Sequence, residues 1–260
     1  MIRTEEMGGV AAEIQHGSAE ILSLTEIRRR AADLIEDPEA RKAVDAYLVM
    51  AAGLDQLVEG VANKRLFNQK LEESVARAQR TGIPLTLLLC DLDNFKPFND
   101  KLGHKVGDEV LQKVGNNIKR HTRITDTVAR LGGDEFGIIL PDTSLVHSLV
   151  VADRVLTSIP NIRPTVTQNS LVPQLGVSIG IAQFAPGENA QTFFERADTE
   201  GLLIAKQQEG KNAIGLALHP GQHLSFGNLR STILSDTGIS SQQQVALINH
   251  ILDKTFLTSK

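Results

Sequence analysis

The sequence predicts an α+β fold, a sheet with helices packed on its faces, and three features carry that prediction. "IPLTLLLC" (residues 83–90) is a short apolar run between a glycine and acids, the pattern of a buried strand. "VARLGGDEFGIIL" (128–140) sets apolar runs on either side of paired glycines, a hairpin signal. "NKRLFNQKLEESVARAQRTG" (63–82) and "VGDEVLQKVGNNIKRH" (106–121) repeat apolar residues at helical spacing instead. In the second, Val106, Val110, Leu111, Val114 and Ile118 share one face.

The elements follow in order. Residues 1 to about 20 are small, polar and glycine-containing, and are expected to fray. "SLTEIRRRAADLIE" (23–36) places Leu24, Ile27, Ala31, Leu34 and Ile35 on one helical face, and Asp37 with Pro38 marks a restart as N-cap and first helical residue. Val44, Tyr47, Ala51, Leu54, Val58 and Val61 then alternate steps of three and four, a heptad seam. Such a helix pairs with a copy of itself or packs on its own domain; Gly53 and Gly60 weaken the first reading. From residue 62 a compact domain is expected: the helix ending at Gly82, the strand, "DLDNFKPFNDKLGH", the second helix and the hairpin. A helix across 143–159, strands at 162–168 and 174–184, a helix at 189–208 and a final strand at 212–218 complete it. The tail is loop-like to about 238. A helix at 240–257 follows, with Val245, Ile248, Ile251 and Leu252 on one face and Ser240 or Ser241 as cap. The expected organisation is therefore a flexible segment and helical stalk (1–61), a catalytic domain (62–217) and a C-terminal extension with a terminal helix (218–260).

Composition bounds the function. The 260 residues are 41% hydrophobic and 22% charged, ordinary for a folded protein. A net charge of −4 supplies no global basic field, so nucleic acid is not an expected partner. The single cysteine, Cys90, excludes an intrachain disulfide and reads as a small buried hydrophobe. The opening residues lack the apolar core of a signal peptide, and no run approaches the ~18 apolar residues of a membrane span. A cytoplasmic, disulfide-free protein is expected.

The acids at the hairpin need compensation. Asp134 and Glu135 are adjacent like charges at the start of a strand, where acids are depleted. Asp91 and Asp93 end the apolar strand at alternate positions, which sends both to one face. Alone, Asp-x-Asp after a strand is more often a turn with solvated acids. Beside a second acidic turn, two strand ends offering carboxylates can hold Mg²⁺, which takes one or two carboxylates plus water and phosphate oxygens. The glycines would let backbone N–H groups approach an anionic ligand closely.

"RLGGDEF" (130–136) matches the defining motif of the GGDEF family of diguanylate cyclases, and the resemblance extends over roughly 55–217. "NKRLF" resembles the Asn-Arg segment that opens that domain. "DLDNFKPFNDKLGHKVGDEVL" is similar to the pattern Asp-x-Asp-x-Phe-Lys-x-x-Asn-Asp-x-x-Gly-His-x-x-Gly-Asp, and "VSIGIA" and "AKQQEGKN" correspond to two later motifs. The resemblance implies a palm-like α+β fold, related to that of nucleotide cyclases and polymerases, with a mainly antiparallel central sheet. It implies condensation of two GTP into cyclic di-GMP with release of two pyrophosphates. Each subunit of a homodimer would bring one GTP, so that a lone subunit holds half a site.

Carried over residue by residue, the resemblance implies a metal site of Asp91, the Leu92 carbonyl, Asp134 and Glu135, with Mg²⁺ as the ion and Mn²⁺ as the alternative. Asp134 and Glu135 are the implied catalytic pair, and the sequence leaves open which is the base. A carboxylate is a weak base for an alcohol unless the metal also lowers the hydroxyl pKa. Gly132 and Gly133 would lie against the nucleotide, Phe95 and Lys96 along the phosphate loop, and Lys206 and Lys211 on the terminal phosphates. Asn99 and Asp108 match the guanine-reading pair. A carboxylate there accepts from N1–H and the 2-amino group, which adenine cannot reproduce. Arg123-x-x-Asp126 matches the family's inhibitory site for cyclic di-GMP, although alone it is a common surface ion pair.

Two stretches depart from the family pattern. "DQLVEGVANKR" (55–65) is one residue longer than the usual entry to the domain and lacks its threonine. "ADTEGLLIAK" (197–206) carries an extra residue, and the spacing after Lys206 is also unusual; either a helical bulge restores the register or the phosphate contacts are altered. The histidines, His104 among them, lack metal-ligand spacing. The alternative to an active cyclase is a catalytically silent module that senses GTP or cyclic di-GMP. The N-terminal stalk or the C-terminal helix would dock a regulatory protein.

Overall fold

Asp37 and Pro38 start a helix as their chemistry dictates. In the computed structural model, which describes residues 24–35, 37–165, 174–208, 211–219, 249–250, 253 and 255–257, helix α1 spans Leu24–Leu34 and helix α2 spans Pro38–Ala51. The Asp37 carboxylate accepts from the N–H groups of Glu39 and Ala40 at 3.3 and 3.2 Å. Arg28 of α1 donates two bonds to Asp45 of α2, at 2.5 and 2.9 Å, closing a helical hairpin. No residue of α2 is buried, and Tyr47 and Met50 are exposed. The chain divides into two compact units, Met1–Ala52 and Gly53–Lys260.

The expected heptad seam stops at Ala51. Gly53 takes a left-handed φ of +77°, and the Asp55 carboxylate accepts from the N–H groups of Leu57 and Val58 at 2.9 and 2.8 Å. These turns break the helix, and Leu54 bridges to Ala62. Val58 and Val61 are fully buried in the core of the second unit. Their helical spacing is a coincidence of sequence.

In the second unit the elements run β1 (Ala62–Asn63), α3 (Lys64–Thr81), β2 (Leu85–Asp93), α4 (Phe95–Leu102), α5 (His104–Arg120), β3 (Thr127–Gly132), β4 (Glu135–Pro141) and α6 (Leu145–Ser158). There follow β5 (Gly176–Gln183), α7 (Ala190–Glu195), a π-helical stretch (Arg196–Leu202), α8 (Leu203–Gln207), β6 (Ile214–Ala217) and β7 (Thr255–Leu257). The sheet order is β1-β3-β4-β2-β5-β6-β7. The long central pairings, β2 with β4 and β5 and β3 with β4, are antiparallel, while the short flanking pairings are parallel.

Strand alternation divides the core in two. Leu88, Cys90 and Leu92 of β2 pack with Val110, Leu111, Val114 and Ile118 of α5 and Leu149 and Leu156 of α6. Leu85, Leu87 and Leu89 pack on the opposite face with Phe67, Leu71 and Val75 of α3 and with Phe193, Ala197 and Leu202. Covering both faces explains the unbroken apolar run, each such leucine contributing about 1.5–3 kcal/mol of burial. Burial also pushes the Cys90 thiol up to about 12, leaving it inert.

Two expected elements differ. Residues 162–165 form no strand: Lys113 Nζ bonds the Arg163 carbonyl at 2.9 Å and Glu109 accepts from the Thr165 N–H at 2.7 Å, tying this stretch to α5. The remainder of the expected strand, 166–168, lies outside the described residues, as do residues 1–23 and the expected cap and apolar face at Ser240, Ser241, Val245, Ile248, Ile251 and Leu252. The expected terminal helix does not run to Leu257, because Thr255–Leu257 form β7 against β6. A β-branched residue followed by an aromatic suits a strand once a sheet edge is available.

Candidate active site

The end of β2 and the β3–β4 turn come together by strand register. Asp91 stands opposite Glu135 on β4 and opposite Ser178 on β5. The Leu92 N–H donates to the Asp134 carbonyl at 3.3 Å, drawing the turn onto the strand end. Gly133 turns the chain with φ +49°, which favours glycine. A Cβ on Gly132 or Gly133 would meet no protein atom within 4 Å, so both present an open backbone face. Arg130 steadies the turn: its Nε donates to the Gly133 carbonyl at 2.9 Å, and its guanidinium lies 3.6 Å from Asp55.

Burial sets the acids' proton affinity. Partial desolvation pushes the carboxyls of the half-buried Asp134 and the more exposed Glu135 above their ordinary range, and the Asp91 charge pushes both further the same way. Asp93, on the same face of β2 as Asp91, plays a different part. It is buried, accepts from Ser178 Oγ at 2.9 Å and from the Asn212 N–H at 2.8 Å, and has Lys211 Nζ at 4.0 Å. It ties down the chain that carries Lys211, a supporting role that sequence reading missed. Its position two residues after Asp91 was the available signal.

Lys206 reaches the acids through a distorted helix. The run from Ala190 to Gln207 contains the π-helical stretch Arg196–Leu202, which absorbs the extra residue seen in the sequence. Of the two readings of that insertion, the structure has the bulge. Gly180 of β5, Gly215 of β6 and Gly201 of the bulge let backbone lie on backbone. A Cβ on Gly180 or Gly215 would overlap the main chain of residues 197–205. Lys206 Nζ then donates to Asp91 Oδ2 at 2.7 Å. Burial opposes its charge, but Asp91, Glu135 and Asp198 outweigh that and hold the ammonium above its ordinary value.

The remaining candidates lie on α4, α5 and the turn before β3. Phe95 and Phe98 stack in the core with ring centroids 6.3 Å apart, while Lys96 is exposed. The Phe95 side chain is thus committed to packing. Asn99 is half-buried against Gly107, where a Cβ would overlap its Oδ1, and that oxygen has no partner among the described residues. Asp108 is exposed at the start of the second turn of α5. Arg123 and Asp126 form a tight turn in which Asp126 Oδ2 accepts the Arg123 N–H at 2.7 Å, leaving the Arg123 side chain exposed. This turn stands at the other end of β3, roughly 20 Å from the glycines.

Among the described residues, no group of three or more His, Cys, Asp or Glu forms a ready metal cage. The donors at the strand ends are all oxygens: the Asp91 carboxylate, the Leu92 carbonyl, and Asp134 or Glu135. That partial set fits Mg²⁺ or Mn²⁺ completed by phosphate oxygens and water, and does not fit a soft metal.

A family model described as "Diguanylate cyclase, GGDEF domain" matches residues 52–212. The response regulator PleD of Caulobacter vibrioides is 32% identical over 222 residues, 82% of this chain and 48% of that protein. The chain therefore spans about half the length of that curated relative. Among solved structures, the GGDEF domain of DgcB from Caulobacter crescentus, in complex with c-di-GMP, gives a TM-score of 0.58 at 30% identity, covering 64% of this chain and 96% of that one. Diguanylate cyclase SiaD of Pseudomonas aeruginosa, in complex with its activator SiaC, gives 0.58 at 27% identity, covering 82% and 78% respectively.

Proposed function

The chain belongs to the GGDEF-domain family and has its palm-like α+β fold, and on that premise we propose that it is a diguanylate cyclase condensing two GTP into cyclic di-GMP and two pyrophosphates. One observation carries this reading: Asp91, Asp134 and Glu135 converge on an open di-glycine face beside Lys206. Three acids next to a bare backbone and a cation suit a triphosphate held with a divalent ion, and little else.

Gly132 and Gly133 admit the nucleotide, since any side chain there would occupy its place. Asn99 and Asp108 read the guanine, Asp108 from an exposed position on α5. Lys206 and Lys211 hold the terminal phosphates, with Lys96 lining the loop. A bound Mg²⁺, or Mn²⁺, held by Asp91, the Leu92 carbonyl and Asp134 or Glu135, would polarise the α-phosphate and lower the pKa of the 3′-hydroxyl. Glu135 or Asp134 then takes the hydroxyl proton.

One subunit presents one GTP, so two must face each other for each 3′-hydroxyl to attack the other's α-phosphate. Product binding at Arg123 and Asp126 would arrest the enzyme, a reading supported by the exposed Arg123 fork and by the c-di-GMP complex of DgcB. A regulatory protein on the N-terminal helices or the C-terminal helix belongs to the same proposal, with SiaD and its activator as support. A cytoplasmic location agrees with the described residues, among which no helix is long and apolar enough to cross a membrane. The organisation proposed is stalk 1–61, catalytic domain 62–217 and extension 218–260.

The test is product chemistry. Purified chain with GTP and Mg²⁺ should yield a cyclic dinucleotide and two pyrophosphates, and Glu135→Gln should lower the rate about 10²–10⁴-fold with the melting temperature unchanged. GTP binding without product in the unsubstituted chain would identify a sensing module instead.

A further inference from the structure

The C-terminal extension lies outside the matched family region, which ends at residue 212, yet it returns to the part of the sheet that supports Lys206. We propose that strand β7 braces the phosphate-binding lysine, so that binding of the nucleotide's triphosphate depends on this returning segment. The inference rests on the reading of Lys206 as a phosphate contact.

The chain of contacts is short. β7 pairs in parallel with β6, Ile214 with Thr255, Gly215 with Phe256 and Leu216 with Leu257. On its face, β6 presses bare backbone against the distorted helix: a Cβ on Gly215 would overlap the Gly201 carbonyl and lie 2.9 Å from the Ala205 nitrogen. The five-residue helix α8 lies against both β6 and β7. Its Lys206 meets Asp91 at 2.7 Å. A second tie holds the extension independently, since His250 Nδ1 lies 2.5 Å from Asp153 Oδ1 on α6, and that carboxylate is only 7% exposed.

β6 has four residues, and without β7 the backbone groups on its outer side would lose their ladder partners. The π-helical stretch before α8 is a rare conformation, seated here through the buried Ala197, Gly201 and Leu202. Loosening β7 therefore loosens β6, and the floor under α8 and Lys206 with it. Release of the His250 tie would act in the same direction, which makes the extension a handle on phosphate affinity.

The experiment uses the full chain carrying Thr255→Pro together with Phe256→Pro. Successive residues of a strand point their N–H groups to opposite sides, so one of the two prolines removes a donor facing β6. Affinities for GTP and for GMP, measured by calorimetry, separate phosphate contacts from guanine contacts. GTP should bind about tenfold more weakly, GMP equally well, and the prolines should add nothing in a Lys206→Ala background. Unchanged GTP affinity, an equal loss for GMP, or additive losses with Lys206→Ala would overturn the proposal. Amide hydrogen exchange at Leu203–Gln207 reads the brace without nucleotide: it should quicken while β2 stays protected, and unchanged exchange there would also overturn it. His250→Ala provides a milder variant should the prolines unfold the chain, with a smaller shift in the same direction expected and no shift counting against the brace. If Lys206→Ala itself leaves GTP affinity intact, the phosphate reading of Lys206 fails, whatever the exchange shows of the brace.

Discussion

Asp91 and Lys206 meet at 2.7 Å, but they arrive there from regions built in different ways. Asp91 and Glu135 sit on the central strands β2 and β4, paired opposite each other, and Asp134 lies in the turn that joins β3 to β4. Lys206 sits on a short helix after a π-helical stretch, and Lys211 follows in a left-handed turn with φ +54°. Register fixes the acids. The cations are delivered by packing against glycines near the sheet edge. Under the proposed function the difference would assign separate work to each half: the acids fixed by register to the chemistry, and the cations fixed by packing to holding the triphosphate.

The sharpest way to break this comparison is to substitute one partner from each half. Asp91→Asn should lower kcat by about 10²–10³-fold if Asp91 is the metal ligand proposed, because charge in the transition state would then go uncompensated. Lys206→Ala should act chiefly through KM, raising it about tenfold, since it removes a contact made in ground and transition states alike. Steady-state kinetics on both variants checks the split. Equal effects on kcat would mean that the two halves act as one unit.

A smaller effect sharpens the account of the cationic half. Gly215→Ala should destabilise the fold by about 1–3 kcal/mol in denaturant titration, because the new Cβ overlaps the Gly201 carbonyl, which is main chain and cannot swing away. Gly133→Ala meets no protein atom and should cost only its left-handed backbone preference, about 1 kcal/mol. A Gly215→Ala protein as stable as the parent would show that the bulge is free to relax.

The acidic half was legible in the sequence because its signals are local. The apolar run into Asp91, the paired glycines and the adjacent acids each lie within one strand or turn, and strand alternation placed Asp91 and Asp93 on one face. Helix starts were equally readable where a side chain caps its own helix, as at Asp37. The cationic half was not. Lys206 and Asp91 are 115 residues apart in sequence, and only the packed sheet brings them together. The inserted residue before Lys206 sits in a π-helical stretch that packs on glycines from separate strands, which no local signal announces. Val58 and Val61 continued a helical spacing that Gly53 and Asp55 had already ended. β7 was unreadable for a related reason: a three-residue strand exists only where an edge such as β6 receives it.

The central claim, that one subunit presents half of a two-GTP site, is tested most directly by the specific rate of cyclic dinucleotide formation across a range of protein concentrations. The account predicts a rate per enzyme molecule that rises with concentration and then levels as subunits pair. A rate per molecule independent of concentration, in a protein that sedimentation shows to remain monomeric throughout, would contradict it.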